Sequence, residues 1–187
     1  MNSESTSLQT RPHATARRRL LANAAILLGG LAVTAKASQT GQQPAMKKPP
    51  NNPANQKLTA LHQEISLNAT PQRIYEILLD SKQFAAFSGM PAEIDPKAGG
   101  TFFMFAKMIE GRNIELIENQ RIVQAWRPAH WDAGIYSIAR FDLKPQGSGV
   151  LVVLDHSGFP EGDYDHLFFG WNSHYWEPLK KYLVQPK

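Results

Sequence analysis

The stretch DYDHLFFGWNSHYWEPLKKYL, residues 163–183, decides the fold. Leu167, Trp171, His174, Pro178 and Tyr182 recur in it at near-helical spacing, flanked by Phe168, Tyr175, Leu179 and Leu183. One face is therefore apolar, and the stretch reads as a single long amphipathic helix. Asp163 is placed to cap its start. About 20 residues of helix span about 30 Å, enough to cross a whole small sheet. Pro178 lies inside it, removes the backbone donor to the His174 carbonyl, and predicts a kink there.

Upstream, the signal is almost all strand. Residues 101–108 hold Phe102, Phe103 and Phe105, and Gly111 reads as the break after them. Residues 113–119 set Ile114 and Leu116 against Glu115 and Glu118, and 121–127 hold Ile122, Val123 and Trp126. Residues 134–143 set Ser137, Ala139, Phe141 and Leu143 against Tyr136, Ile138 and Arg140. A turn at 145–149 leads into a β-branched run over 150–156. Strands spaced about ten residues apart with short turns predict an antiparallel meander. Before them come a strand over 58–68 and a helix capped by Thr70 with Pro71 in its first turn. A second short helix follows, capped by Ser81, carrying Phe84 and Phe87 and closed by Gly89; a strand over 92–95 comes next. The fold class is α+β: a curved antiparallel sheet of about six or seven strands wrapped around a long C-terminal helix, with two short helices after the first strand.

The chain has 187 residues, no cysteine and a net charge of +4. Without cysteine there are no disulfides, thiolate metal sites or cysteine nucleophile. The charge is unevenly placed. Residues 1–37 hold Arg11, Arg17, Arg18, Arg19 and Lys36 against Glu4 alone, and the rest carries equal numbers of each sign. A neutral body has no electrostatic footprint for a phosphate backbone, so nucleic acid is not an expected partner.

Those 37 residues read as an export signal. Arg17 and Arg18 open a twin-arginine pattern, an apolar stretch runs over 20–33, and Ala35 and Ala37 frame a small–x–small cleavage site. The twin-arginine translocase is then a partner during export, and the location is periplasmic, or at the inner membrane if the signal stays uncleaved. Residues 38–57, with four prolines and almost nothing apolar, read as a disordered tether. All 18 aromatics fall between Tyr75 and Tyr182, which sets the domain at 58–187.

Several strings in this order resemble the START-like, or helix-grip (SRPBCC), superfamily, and within it the C-terminal domain of the activator of heat-shock-protein-90 ATPase. They are GGTF at 99–102, GRNI at 111–114, QRIVQAWR at 120–127, Trp131, HSGFP at 156–160, and Gly170-Trp171 with Tyr175-Trp176. The resemblance spans roughly residues 60–184. It implies a cavity between sheet and long helix, used by many members for apolar ligands, and also a co-chaperone role. An exported protein would stand apart from a cytoplasmic chaperone, so a hydrophobic small molecule or lipid is the expected partner, with a protein partner as the alternative.

Phe103, Phe105, Trp126, Trp131, Trp171, His174 and Tyr175 are the candidate ligand-binding residues. They could line an apolar pocket or pack as a filled core, and the residues alone leave both open. On the pocket reading, Trp171→Ala is expected to weaken ligand retention without unfolding. His174 shares the inward face of the helix and needs a polar partner there. Asp155, His156, Asp163, Asp165 and His166 could form a mixed metal site, but no ligand spacing repeats, and acidic residues at a helix start are expected anyway. His130 reads as a loop histidine or a group at a cavity mouth. Ser157 beside His156 lacks a GxSxG elbow. No catalytic residue, metal ligand or cofactor motif is assigned; the expectation is a non-enzymatic binding domain, with an enzyme using a cavity histidine as a further alternative.

Overall fold

A computed structural model describes residues 52–185. The signal residues Arg17, Arg18, Ala35 and Ala37 lie outside them. Alternation builds the first strand: β1 (Ala60–Leu67) turns Leu61, Gln63, Ile65 and Leu67 inward and exposes the residues between. Thr70 caps α1 (Pro71–Leu79), its hydroxyl accepting from the Arg73 amide, and Ile74, Ile77, Leu78 and Leu79 are buried. α2 (Ser81–Ser88) follows at once. Its cap is Asp80, whose carboxylate accepts from the Gln83 amide; Ser81, expected in that role, accepts instead from the Ile94 amide at 2.9 Å.

The remaining strands are β2 (Glu93–Ile94), β3 (Thr101–Met104), β4 (Ile109–Ile117), β5 (Arg121–Pro128), β6 (Ser137–Gln146) and β7 (Gly149–Ser157). Among the described residues they form one seven-stranded antiparallel sheet in the order β1-β7-β6-β5-β4-β3-β2. It is a meander whose first strand returns to pair with its last.

Three local expectations change. β3 ends at Met104, because Phe105, Ala106 and Lys107 take positive φ of 52°, 55° and 69° and turn the chain into β4. Gly111 lies inside β4 rather than ending a strand. A Cβ there would stand 2.0 Å from the Ala125 carbonyl oxygen and 2.4 Å from the Phe102 ring, so glycine is what lets that ring lie across the strand. The β4–β5 register then shifts between Asn113 and Glu115. This bulge leaves Ile114 half exposed and turns Asn113 fully inward.

The C-terminal helix runs 20 residues in three parts: α3 (Tyr164–Gly170), a π segment (Trp171–Trp176) and α4 (Glu177–Leu183). The Glu177 amide reaches back five residues to the Asn172 carbonyl. Pro178 sits in the first turn of α4, where a missing donor is tolerated. The wider turn upstream thus takes up the irregularity that the sequence places as a kink at His174. Asp163 precedes the helix without capping it through its side chain.

The end of the expected tether is docked rather than free. Pro53–Asn55 form a short 3-10 turn, and the Asn52 amide and the Asn55 side-chain amide donate to Asp165 at 2.6 and 2.7 Å. The Gly162 amide donates to the Gln56 carbonyl at 2.9 Å.

Candidate functional site

The π segment presents Trp171, Tyr175 and Trp176 to the sheet, all buried. The Trp171 ring stacks on Trp126 of β5 at 4.6 Å and meets Phe141 of β6 edge-on. Tyr175 packs against Trp171 at 4.7 Å, and against Phe84 and Phe87 of α2 at 5.6 Å each. Trp176 closes the other side, its indole donating to Gln63 of β1 at 2.6 Å. Such tilted and offset ring pairs are the preferred aromatic geometries.

Packing stops beyond Trp126 and Phe105. A cavity of about 530 Å³ opens there between sheet, α2 and the long helix. Met90, Phe105, Ile109, Trp126, Trp171 and Tyr175 form much of its wall; His130, His166 and His174 also line it, the first two exposed and His174 half-buried. Filled core and lined pocket therefore both exist, side by side. A cavity of this size, mostly apolar with a few polar groups, has the build of a small-molecule site.

Of the seven candidate residues, five line this cavity: Phe105, Trp126, Trp171, His174 and Tyr175. Phe103 does not. It alternates with the inward Phe102 and Met104, so it faces outward, with the Lys107 ammonium 5.4 Å from its ring. Trp131 does not either. It is buried in the β5–β6 loop, its indole donates to Asp163, and its carbonyl accepts from Arg127 at 2.9 Å. It pins the loop to the start of the helix. Trp171 is also more than pocket wall. At 2% exposure and with its indole bonded to His156, it belongs to the core, so Trp171→Ala is expected to destabilise the fold as well as the cavity, contrary to the sequence expectation.

Two buried polar chains hold the wall in place, and sequence reasoning missed both. In the first, the Trp126 indole donates to Gln124 at 3.2 Å, Gln124 donates to Asn113 at 2.9 Å, and Asn113 donates to the Asp95 carbonyl at 2.9 Å. In the second, the Trp171 indole donates to His156 Nδ1 at 3.0 Å. The proton of His156 therefore sits on Nε2, which donates to Ser137 Oγ at 2.7 Å, and the Ser137 hydroxyl donates to the Trp126 carbonyl at 3.2 Å. Burial holds His156 neutral, its pKa lowered to about 3. The inward histidine is thus His156 as well as His174. The signal was available: Val150, Val152 and Leu154 alternate inward along β7, and His156 continues their phase.

The other histidines gather near the cavity's outer wall. The rings of His130 and His166 lie 5.2 Å apart, and His130 Nε2 is 3.5 Å from an Asp163 oxygen. Burial lowers the pKa of His166, and the neighbouring His130 adds to this; burial lowers His174 likewise. The residues weighed as metal ligands point apart. Asp155 pairs outward with His62 at 2.7 Å, His156 faces the core, Asp163 holds Trp131, and Asp165 holds Asn52 and Asn55. Ser157 is exposed on the opposite face of β7 from His156, so the two form no nucleophile–base pair.

A curved antiparallel sheet gripping one long helix, with a cavity at one end of the grip, defines a START-like domain. The chain belongs to the family described as activator of Hsp90 ATPase homolog 1-like protein, which matches residues 68–184. It is 28% identical over 124 residues to the mouse activator of 90 kDa heat shock protein ATPase homolog 2, covering 66% of this chain and 38% of that protein. It is 23% identical over 150 residues to the human homolog 1, covering 78% of this chain and 44% of that one. The chain thus spans less than half the length of these curated relatives. Among solved structures, an HSP90 activator from Plasmodium falciparum superposes with a TM-score of 0.65 at 21% identity, over 69% of this chain and 99% of that one. The Aha1 dimer from Colwellia psychrerythraea superposes with a TM-score of 0.58 at 18% identity, over 67% and 96%. At these identities the superpositions carry the fold.

Proposed function

We propose that the domain is a non-enzymatic binding module that holds a hydrophobic small molecule or lipid in the cavity beside Trp126, Trp171 and Tyr175. The observation that supports this best is the cavity itself: about 530 Å³ with largely apolar walls, open beside a cluster of buried aromatic and aliphatic side chains. The buried histidine, His156, is committed to Trp171 and Ser137 and holds the wall rather than facing a ligand. Native mass spectrometry of the protein purified from its own host tests the reading. A co-purifying mass of a few hundred daltons, released on denaturation, is expected; a bare protein mass overturns it.

The twin-arginine pattern supports a periplasmic location, or a tether to the inner membrane if the leader is uncleaved. Replacing Arg17 and Arg18 by lysine is expected to leave the protein in the cytoplasm when fractions are blotted.

Family membership supports a second reading, a co-chaperone-like protein partner, because the relatives are named as activators of the 90 kDa heat shock protein ATPase. Adding the purified chain to that chaperone and measuring its ATPase rate decides this reading: stimulation supports it and an unchanged rate overturns it.

A further inference from the structure

The polar groups along the cavity wall are unequal. His130 and His166 are exposed, His174 is half-buried, and all three can be met by water. Tyr175 is 2% exposed, its ring held among Phe84, Phe105, Trp126 and Trp171. Its indole neighbours all have partners: Trp126 donates to Gln124, Trp171 to His156 and Trp176 to Gln63. The Tyr175 hydroxyl donates to no described residue, and it is open to the cavity rather than sealed in protein. Burial raises its pKa, so it remains a donor at every physiological pH. Once a ligand displaces water from the cavity this donor needs an acceptor, and no residue of the surrounding wall supplies one.

We propose that the Tyr175 hydroxyl is the polar recognition point of the cavity, and that its ligand is an uncharged apolar molecule whose buried end carries a carbonyl oxygen. This rests on the reading of the cavity as a binding site. The surrounding residues restrict the chemistry. A plain hydrocarbon leaves the hydroxyl unpaired, and sites built around one buried polar group discriminate strongly against analogues that lack its partner. A carboxylate satisfies the hydroxyl but brings a charge beside a wall with no lysine or arginine among its lining residues, and burial lowers the pKa of His166 and His174 there, which disfavours the cations that could pair with it. A neutral carbonyl meets both conditions, accepting the O–H and leaving no charge unpaired.

Two probes of the same ring and nearly the same size test this on the full chain: acetylnaphthalene, which carries a carbonyl, and ethylnaphthalene, which does not. In isothermal titration the ketone is expected to bind about tenfold tighter, the ratio one neutral hydrogen bond gives. Tyr175→Phe should abolish that preference, bringing the two affinities together. Equal affinities in the wild type, or a preference that survives in Tyr175→Phe, overturn the inference and leave the apolar-cavity reading standing. Binding of neither probe overturns both. If Tyr175→Phe fails to fold by circular dichroism, the infrared carbonyl stretch of the ketone bound to the wild type decides. A shift below its frequency in hexane supports the hydrogen bond, and no shift overturns it.

Discussion

On the side of β1, β7 and β6 the space under the sheet is occupied by buried side chains. Phe141 meets Trp171 and Trp176 edge-on, Leu154 and Val152 are fully buried, and His156 is locked between an indole and a hydroxyl. Where β3 turns into β4 and β5 ends, the same layer of aromatics stops at Trp126 and Phe105 and leaves about 530 Å³. Both ends use the same residue types, under the same helix. The backbone differs at the open end, where Phe105, Ala106 and Lys107 form a turn of three left-handed residues. Close packing is the default for a protein interior, so an opening of this size marks the end of the domain suited to a ligand.

The comparison makes substitutions in the filled half act on stability and those in the open half act on binding. The largest expected effect is Trp171→Ala. It removes a ring that lines the cavity but is anchored in the filled half, and strands His156, and should lower unfolding free energy by about 4 kcal/mol in urea titrations. A loss below about 1 kcal/mol would show that the two halves are not distinct.

The next effect is pH dependence. The His156 pKa is lowered from 6.5 unfolded to about 3 folded, so the unfolded state binds the extra proton between these values. Stability from this group is fully present above pH 6.5 and falls as pH drops, by up to about 1.4 kcal/mol per unit. Urea midpoints at pH 7 and pH 4.5 should differ by about 3 kcal/mol in stability, and His156→Gln, which cannot titrate, should flatten most of the slope.

The order of elements was legible because alternation and helical spacing are local properties. Leu61, Ile65 and Leu67 announce β1, and Leu167, Trp171 and Leu179 announce the gripped helix. What was not legible depends on contacts between distant residues. Gly111 looks like a strand breaker until the Phe102 ring is seen lying over it. Phe103 and Phe105 would share one face of a continuous strand. The left-handed turn resets the phase, so Phe105 faces the cavity while Phe103 faces outward. Trp131 looked like a ligand contact because nothing local reveals that Asp163, far along the chain, takes its indole.

Two smaller effects sharpen the contrast at the open end. Ala106 holds φ of 55°, a conformation that a Cβ disfavours by about 1–2 kcal/mol. Ala106→Gly should therefore raise stability by about 1 kcal/mol in thermal melts, after its greater unfolded-state entropy is offset. His174→Leu should change stability by less than about 0.5 kcal/mol, since the side chain is part-exposed and hydrogen-bonds to no described residue. A larger loss in melts would place His174 in the filled half.

The pairing of β1 with β7 has a kinetic consequence. Ala60 stands opposite Ser157 and Leu67 opposite Val150, so the edge of the sheet closes only after nearly the whole domain has been synthesised. The residues that complete the interior, Trp171, Tyr175, Trp176 and Leu179, come later still. High contact order of this kind slows folding, because loop-closure entropy is met before the long-range contacts reward it. A nascent chain that lacks its last helix therefore displays a bare apolar sheet face, and truncation after Gly170 should yield an aggregating product rather than a smaller folded one.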